Sequence, residues 1–223
     1  MIFAIIVAAG SGKRFGGTRP KQFIELAGKP ILVHTIEKFE NCAAIDEIIL
    51  VLSSDEIENF SETIARFDLR KLKKIVAGGT TRAESVLNGL NSIQAANNDI
   101  IAIHDGARPL VTTEEIAQTV EKAKVTGASC LVAKVTDTIK LVENGVITGT
   151  IDRETLRRAL TPQCFRYELL KRAFAKNDAG EIATDESFLV EKLGVKIATV
   201  EGSARNIKIT HQDDLKIAEL LLN

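Results

Sequence analysis

Cysteine is scarce here: Cys42, Cys130 and Cys164 are odd in number and far apart. That argues against a disulfide framework and against the close ligand spacing of a zinc site. No apolar run approaches the ~20 residues of a membrane span, and the N-terminus lacks a signal-peptide pattern. Excess charge is missing as well. Lys and Arg number 29 against 30 Asp and Glu, a net charge of −1, which argues against wholesale nucleic-acid binding. Internal repeats, low-complexity segments and linkers are also lacking. What remains is a cytoplasmic protein with no membrane and no nucleic-acid partner. Its 223 residues, 45% apolar and 26% charged, suit a soluble chain with a real core, in one large domain or two small ones.

What is present is concentrated first between Ile5 and Gln22 (IIVAAGSGKRFGGTRPKQ). An apolar strand, Ile2 to Ala8, runs into a loop with glycines at Gly10, Gly12, Gly16 and Gly17 and cations at Lys13, Arg14, Arg19 and Lys21. Glycines let backbone N–H groups turn toward an anion at close range. The cations beside them point to a polyphosphate. Two familiar motifs are excluded: the glycines do not give the dinucleotide fingerprint, and Gly12-Lys13-Arg14 lacks the Gly-Lys-Ser/Thr of a P-loop. A solvated glycine-rich turn is the plain alternative, and the four cations speak against it.

Further along, Pro30 marks a helix start, with Leu32, Ile36 and Phe39 at helical spacing. Glu47 to Ser53, Lys74 to Ala77, Ile100 to His104 and Cys130 to Val135 read as strands. Between them, Asp55/Glu58, Thr81/Glu84 and Thr112/Glu115 have capping-box spacing. This alternation predicts an α/β fold: a Rossmann-like, mostly parallel sheet with helices on both faces. Residues 136–153 break the rhythm, with β-branched residues around Asn144-Gly145, a hairpin signal. Such a hairpin is either an antiparallel edge of the main sheet or an arm gripping a second subunit. Helices over Tyr167–Lys176 and Asp185–Leu193 follow, with a loop around Gly180 between them. Strands over Val195–Val200 and Ile207–Ile209 and a last helix after Thr210 complete one domain, 1–223, with residues 136–153 as the arm.

Ligands of parallel sheets bind outside the carboxyl ends of the strands. One strand ends in His104-Asp105-Gly106-Ala107-Arg108-Pro109. Asp105 there suits Mg²⁺, which takes one or two carboxylates plus phosphate oxygens, and Arg108 suits phosphate. A turn aspartate ahead of Gly106 is the alternative, and His104 reads as an ordinary strand-end residue. Another strand ends in Gly78-Gly79-Thr80-Thr81-Arg82 with Ser85 behind it, a place for a nucleobase edge or ribose, with a plain tight turn as the alternative. Asn206-Ile207-Lys208 adds a late cation.

Taken together, AAGSGKRFGGTRPKQF, GGTTRAESV, HDGARP, DTIK, DR, ALTPQ and NIKIT resemble the 2-C-methyl-D-erythritol 4-phosphate cytidylyltransferase family of the non-mevalonate isoprenoid pathway, from Ala8 to Thr210. The resemblance implies transfer of CMP from CTP to the sugar phosphate, with Mg²⁺ as cofactor, in a homodimer whose active site is shared across subunits. It implies that Ala8, Ala9, Gly10 and Gly12 cradle the nucleotide, with Arg14 and Lys21 catalytic on its phosphates. Gly79 and Ser85 would help select cytosine, and Asp105 would hold the metal and border the sugar phosphate with Arg108. Thr138 and Arg153 would come from the partner's arm, and Thr161 and Lys208 would complete the site. Relatives often carry an acidic residue where this chain has Thr80 and Thr81. Ribitol-5-phosphate cytidylyltransferases, the nearest alternative, share the PKQF-type and TPQ segments, but tend to read Asp-Ser-Val-Arg-Pro where this chain has Asp105-Gly106-Ala107-Arg108-Pro109. A non-catalytic nucleotide-sensing subunit is the other alternative, and Arg14, Lys21, Asp105 and Lys208 together speak against it.

Overall fold

The structure, a computed structural model, describes residues 1–10, 15, 21–176 and 184–222. It begins with strand β1 (Ile2–Val7), a one-turn 3-10 helix (Lys21–Phe23) and the short pair β2 (Glu25–Leu26) and β3 (Lys29–Pro30). Helix α1 (Ile31–Glu40), strand β4 (Glu47–Leu52), helix α2 (Ile57–Ile64) and strand β5 (Leu72–Ala77) follow. Next come α3 (Arg82–Asn91), β6 (Ile100–Asp105), α4 (Thr113–Thr126) and β7 (Ala128–Lys134). A hairpin of β8 (Ile139–Glu143) and β9 (Val146–Ile151) leads into β10 (Arg157–Arg166). Helices α5 (Tyr167–Ala175) and α6 (Glu186–Glu191), strand β11 (Ala198–Glu201) and helix α7 (Gln212–Leu222) close the chain.

Seven strands form the main sheet in the order β11-β7-β10-β6-β1-β4-β5. Every pairing in it is parallel except those of β10, which runs antiparallel between β6 and β7. Successive side chains of a strand point to opposite faces, and β1 feeds two cores accordingly. Ala4 and Ile6 pack with α1, α2 and α4, whereas Phe3 and Ile5 pack with α3, α5 and α6. A third, smaller cluster joins Leu26, Ile31 and Ile209 to α7 through Ala218. Among the described residues, no helix is long and apolar enough to cross a membrane.

One strand is missed and two local expectations fail. Strand β10 is absent from the sequence-based reading, because Pro162 has no N–H for a central ladder. The structure accommodates it at a register shift between Ala159 and Gln163, where the Thr161–Pro162 peptide is cis. Ile207–Ile209 is no strand: the segment is pinned by single bonds, Ile209 N donating to Ala107 O at 2.9 Å and Arg108 Nη1 to Asn206 O at 2.8 Å. Asp55 lies inside a 3-10 turn, so the Asp55/Glu58 box is not made, whereas those at Thr81/Glu84 and Thr112/Glu115 are. The hairpin forms its own two-stranded sheet with φ of 50° at Asn144 and 80° at Gly145, as a type I′ turn requires. It is not an edge of the main sheet.

Candidate active site

The parallel strands deliver three loop starts to one end of the sheet: Ala8–Gly10 after β1, Gly78–Thr81 after β5 and Gly106–Pro109 after β6. Small residues let them converge. A Cβ on Gly78 would sit 2.4 Å from the Ala9 Cβ, and one on Gly106 would sit 2.9 Å from the Ala8 Cβ. Gln22, buried beside the 3-10 turn, donates to Ala8 O at 2.7 Å and Gly10 O at 3.3 Å. It thereby fixes both ends of the glycine loop. Gly12, Arg14 and the side chain of Lys21 lie outside the described residues.

Asp105 ends β6 and is buried, with three cations around it. Oδ1 accepts from Arg82 Nε at 3.0 Å, while Oδ2 accepts from Arg108 Nε at 3.3 Å and pairs with Lys208 Nζ at 2.9 Å. Burial pushes this carboxyl up. Arg82, Lys208 and Arg108 more than offset that push and hold it well below the usual carboxylate range. Arg82 continues to Glu186, whose two oxygens accept from its Nη1 at 2.7 and 2.9 Å. Burial pushes the Glu186 carboxyl up, against the pull of Arg82.

Behind Asp105 lies a neutral network. His104 is fully buried against the Phe39 ring, and burial lowers its pKa to about 4. Its Nε2 lies 3.1 Å from Arg108 O, which can only accept. In the neutral ring, Nδ1 is then the acceptor for the Thr161 hydroxyl at 3.0 Å. Thr161 Oγ1 in turn accepts from Asp105 N at 3.2 Å, and Asn206 Nδ2 donates to Thr161 O at 3.0 Å. His104 is thus the strand-end residue the sequence suggested, and it also sets the aim of its neighbours.

The loop after β5 is braced from within. Ser85 donates to Thr81 O at 2.9 Å and accepts from Gly79 N at 3.1 Å. Glu84 accepts from Thr80 N and Oγ1 at 2.7 and 2.6 Å, which gives Thr80 a part in bracing the loop. What this assembly offers chemically is a cluster with one net positive charge, ringed by glycine-lined backbone at the carboxyl ends of parallel strands. Such a place is suited to a phosphorylated nucleotide.

The family model of IspD, 2-C-methyl-D-erythritol 4-phosphate cytidylyltransferase, matches residues 2–223. The chain belongs to this cytidylyltransferase family. A protein of Geobacter metallireducens carrying the same name is 42% identical over 99% of this chain and 97% of its own length. One from Clostridium novyi is 44% identical over 98% and 95%. Among solved structures, 4-diphosphocytidyl-2C-methyl-D-erythritol synthase from Anaerococcus prevotii superposes with a TM-score of 0.87 at 31% identity, covering 99% of this chain and 95% of that one.

Within the cytidylyltransferase chain, the structure brings together Ala8, Ala9, Gly10, Gly79, Ser85, Asp105, Arg108, Thr161 and Lys208 around the strand ends. Thr138 and Arg153 stand apart. Both are exposed, at the base of the hairpin, where Arg153 Nη1 donates to Thr136 O at 2.6 Å. No hydrogen bond or ion pair among the described residues joins either to Asp105. Residues missed by sequence reasoning are Gln22, Arg82 and Glu186. Arg82 had a signal, as the cation opening a capped helix directly after Gly-Gly. Glu186, in the first turn of a six-residue helix, had none.

Proposed function

We propose that the chain transfers CMP from CTP to 2-C-methyl-D-erythritol 4-phosphate, giving 4-diphosphocytidyl-2-C-methyl-D-erythritol and pyrophosphate in isoprenoid biosynthesis. The single observation that carries the chemistry is Asp105, tied to three cations beside the glycine loop. A phosphate oxygen of the acceptor attacks the α-phosphorus of CTP. A new P–O bond forms as the bond to the β-phosphate oxygen breaks, and pyrophosphate leaves with the electron pair. No covalent enzyme intermediate is needed, since the phosphomonoester is already an ionised nucleophile. Catalysis is then positioning plus charge stabilisation. Arg108 and Lys208 neutralise the approaching polyanions, and Lys208 suits the reacting end because it is the most exposed of the three, 35% against 27% for Arg82 and 12% for Arg108. Arg14 and Lys21 serve the α-phosphate and leaving group.

A metal fits this donor set in one way only. Among the described residues there is no group of three His, Cys, Asp or Glu side chains able to hold an ion. Glu186 is 1% exposed with both oxygens on Arg82, so Asp105, at the strand end beside the glycine loop, is the carboxylate that would hold a metal, in exchange for part of its contact with Lys208 and the two arginines. Mg²⁺ binds through one or two carboxylates plus phosphate oxygens and water, and here Asp105 would hold it together with the nucleotide. When bound, it supplies further neutralisation of the phosphate charge.

The arm completes the reading. Leu141, Val142, Val146 and Ile147 are exposed on it, and an isolated two-stranded hairpin is marginal in water. A homodimer in which each arm packs on the other subunit and brings Thr138 and Arg153 to its acceptor site accounts for both features. Three free, buried cysteines accord with a cytoplasmic setting. The test is pyrophosphate release with CTP across a panel of polyol phosphates. Methylerythritol phosphate should be turned over fastest. Equal or faster use of ribitol 5-phosphate, or of ATP in place of CTP, would overturn the assignment.

A further inference from the structure

Arg82 enters the roles above as one of the three cations on Asp105 and Glu186 has no role there, yet the pair extends the Asp105 cluster inward. Glu186 is only 1% exposed, and both its oxygens bind the same Arg82 nitrogen. The guanidinium is a rigid plane whose Nε holds Asp105 Oδ1. The start of α6 is fixed independently. Asp185 Oδ1 accepts from Phe188 N at 2.9 Å and its Oδ2 from Gln163 Nε2 at 2.8 Å, while Gln163 Oε1 accepts from Ser187 N at 3.0 Å. Gln163 sits in β10 two residues beyond Thr161. Glu186 is therefore held by the same strand that aims the Asp105 backbone.

Stability alone is a weak reason for such a pair. Burying a carboxylate against a cation gains little over well-packed apolar side chains of similar volume. The arrangement does govern charge. With Glu186 ionised, the charge of Arg82 is largely cancelled, and Arg82 is prevented from committing itself wholly to Asp105. We propose that Glu186 is a positioning residue for the transferase reaction, acting through Arg82 to orient Asp105 and to keep its carboxylate available to a nucleotide-borne divalent cation. The inference rests on the cytidylyltransferase reading and goes beyond it in assigning these two residues.

The experiment compares Glu186→Gln, Arg82→Gln and the double variant with wild type. CTP binding is followed by calorimetry in EDTA and in Mg²⁺, beside kcat. Removing one negative charge near the phosphates should tighten metal-free CTP binding by Glu186→Gln roughly 3- to 10-fold. Its kcat should fall about 10- to 100-fold, with a higher Mg²⁺ concentration needed for half-maximal rate, as when a group supporting a metal ligand is lost. A purely structural role would weaken CTP binding with and without Mg²⁺ alike, and that result would overturn the proposal. Because Glu186 acts through Arg82, adding Glu186→Gln to Arg82→Gln should change kcat less than about twofold, whereas multiplying losses would contradict it. If either single variant fails to fold, the charge-balanced double variant decides. Metal-free CTP affinity near wild type with kcat at least about tenfold lower is expected, and wild-type kcat would sink the idea. Absence of turnover of methylerythritol phosphate by the wild type would instead undermine the transferase reading and leave the CTP-binding comparison interpretable.

Discussion

The end of the main sheet and the hairpin make opposite use of the same chain. At the sheet end, the described charged groups pair internally: Asp105 with Arg82, Arg108 and Lys208, and Arg82 with Glu186. The backbone there is locked by His104, Thr161, Gln22 and Ser85. On the hairpin, four large apolar side chains face solvent, and among the described residues Arg153 meets Thr136 O and, at 3.8 Å, Glu154. The described part of the first region is held by its own contacts. The second exposes the apolar side chains that the proposed dimer would cover. On the proposed reading, the nucleotide half of the site would be intrinsic to one chain, and the acceptor half would depend on assembly.

The largest loss should follow Asp105→Asn, which keeps the size and removes the charge that ties three cations. With folding verified by circular dichroism, kcat at saturating Mg²⁺ should drop on the order of 10³. A wild-type rate would reduce Asp105 to a turn residue and erase the distinction between the two regions.

Next in size is a pH effect confined to the sheet end. His104 has a folded pKa of about 4 against an ordinary 6.5, so the unfolded chain takes up the proton first. Its contribution is fully present above pH ~6.5 and is lost as pH falls toward ~4, about 3 kcal/mol in all. Urea unfolding across that range should show the decline, and His104→Asn should flatten it. An equal slope in the variant would place the titration elsewhere.

Arg153→Ala should leave CTP binding unchanged while lowering kcat/KM for the sugar phosphate on the order of 10- to 100-fold, the worth of a charge-assisted contact. Weakened CTP binding would blur the line between body and arm. The smallest effect on the body should come from Val146→Asp with Ile147→Asp at the hairpin tip. Folding stability should shift by no more than about 0.5 kcal/mol per site, while sedimentation should show monomers in place of dimers. A retained dimer would refute the role of the tip.

Much of this architecture was legible because periodicity and capping chemistry are local. Thr81/Glu84 and Thr112/Glu115 both form the reciprocal boxes their spacing announces, and Asn144-Gly145 makes its turn. Asp105, Arg108 and Lys208 were legible as site residues only through the rule that strand ends bind ligands and through the family motifs. What stayed hidden was non-local. Pro162 disguised a central strand, since a register shift cannot be read from composition. Ile207–Ile209 looked like a strand because it is apolar, yet its burial comes from packing on α7 and the loop after β6. Glu186 lies 104 positions from Arg82 in sequence, and no spacing rule links such a pair.

The claim that the site is divided between one chain's body and another's arm has a direct test in mixed dimers. Asp105→Asn damages the body and Arg153→Ala the arm; equal amounts are unfolded together and allowed to reassociate, with heterodimers confirmed by mass. If arms act in trans, each mixed dimer holds one doubly damaged site and one intact site, and activity should recover to about a quarter of wild type, as two-fold exchange requires. If arms act on their own bodies, every site keeps a lesion, activity stays at the level of the parent variants, and the divided site is contradicted.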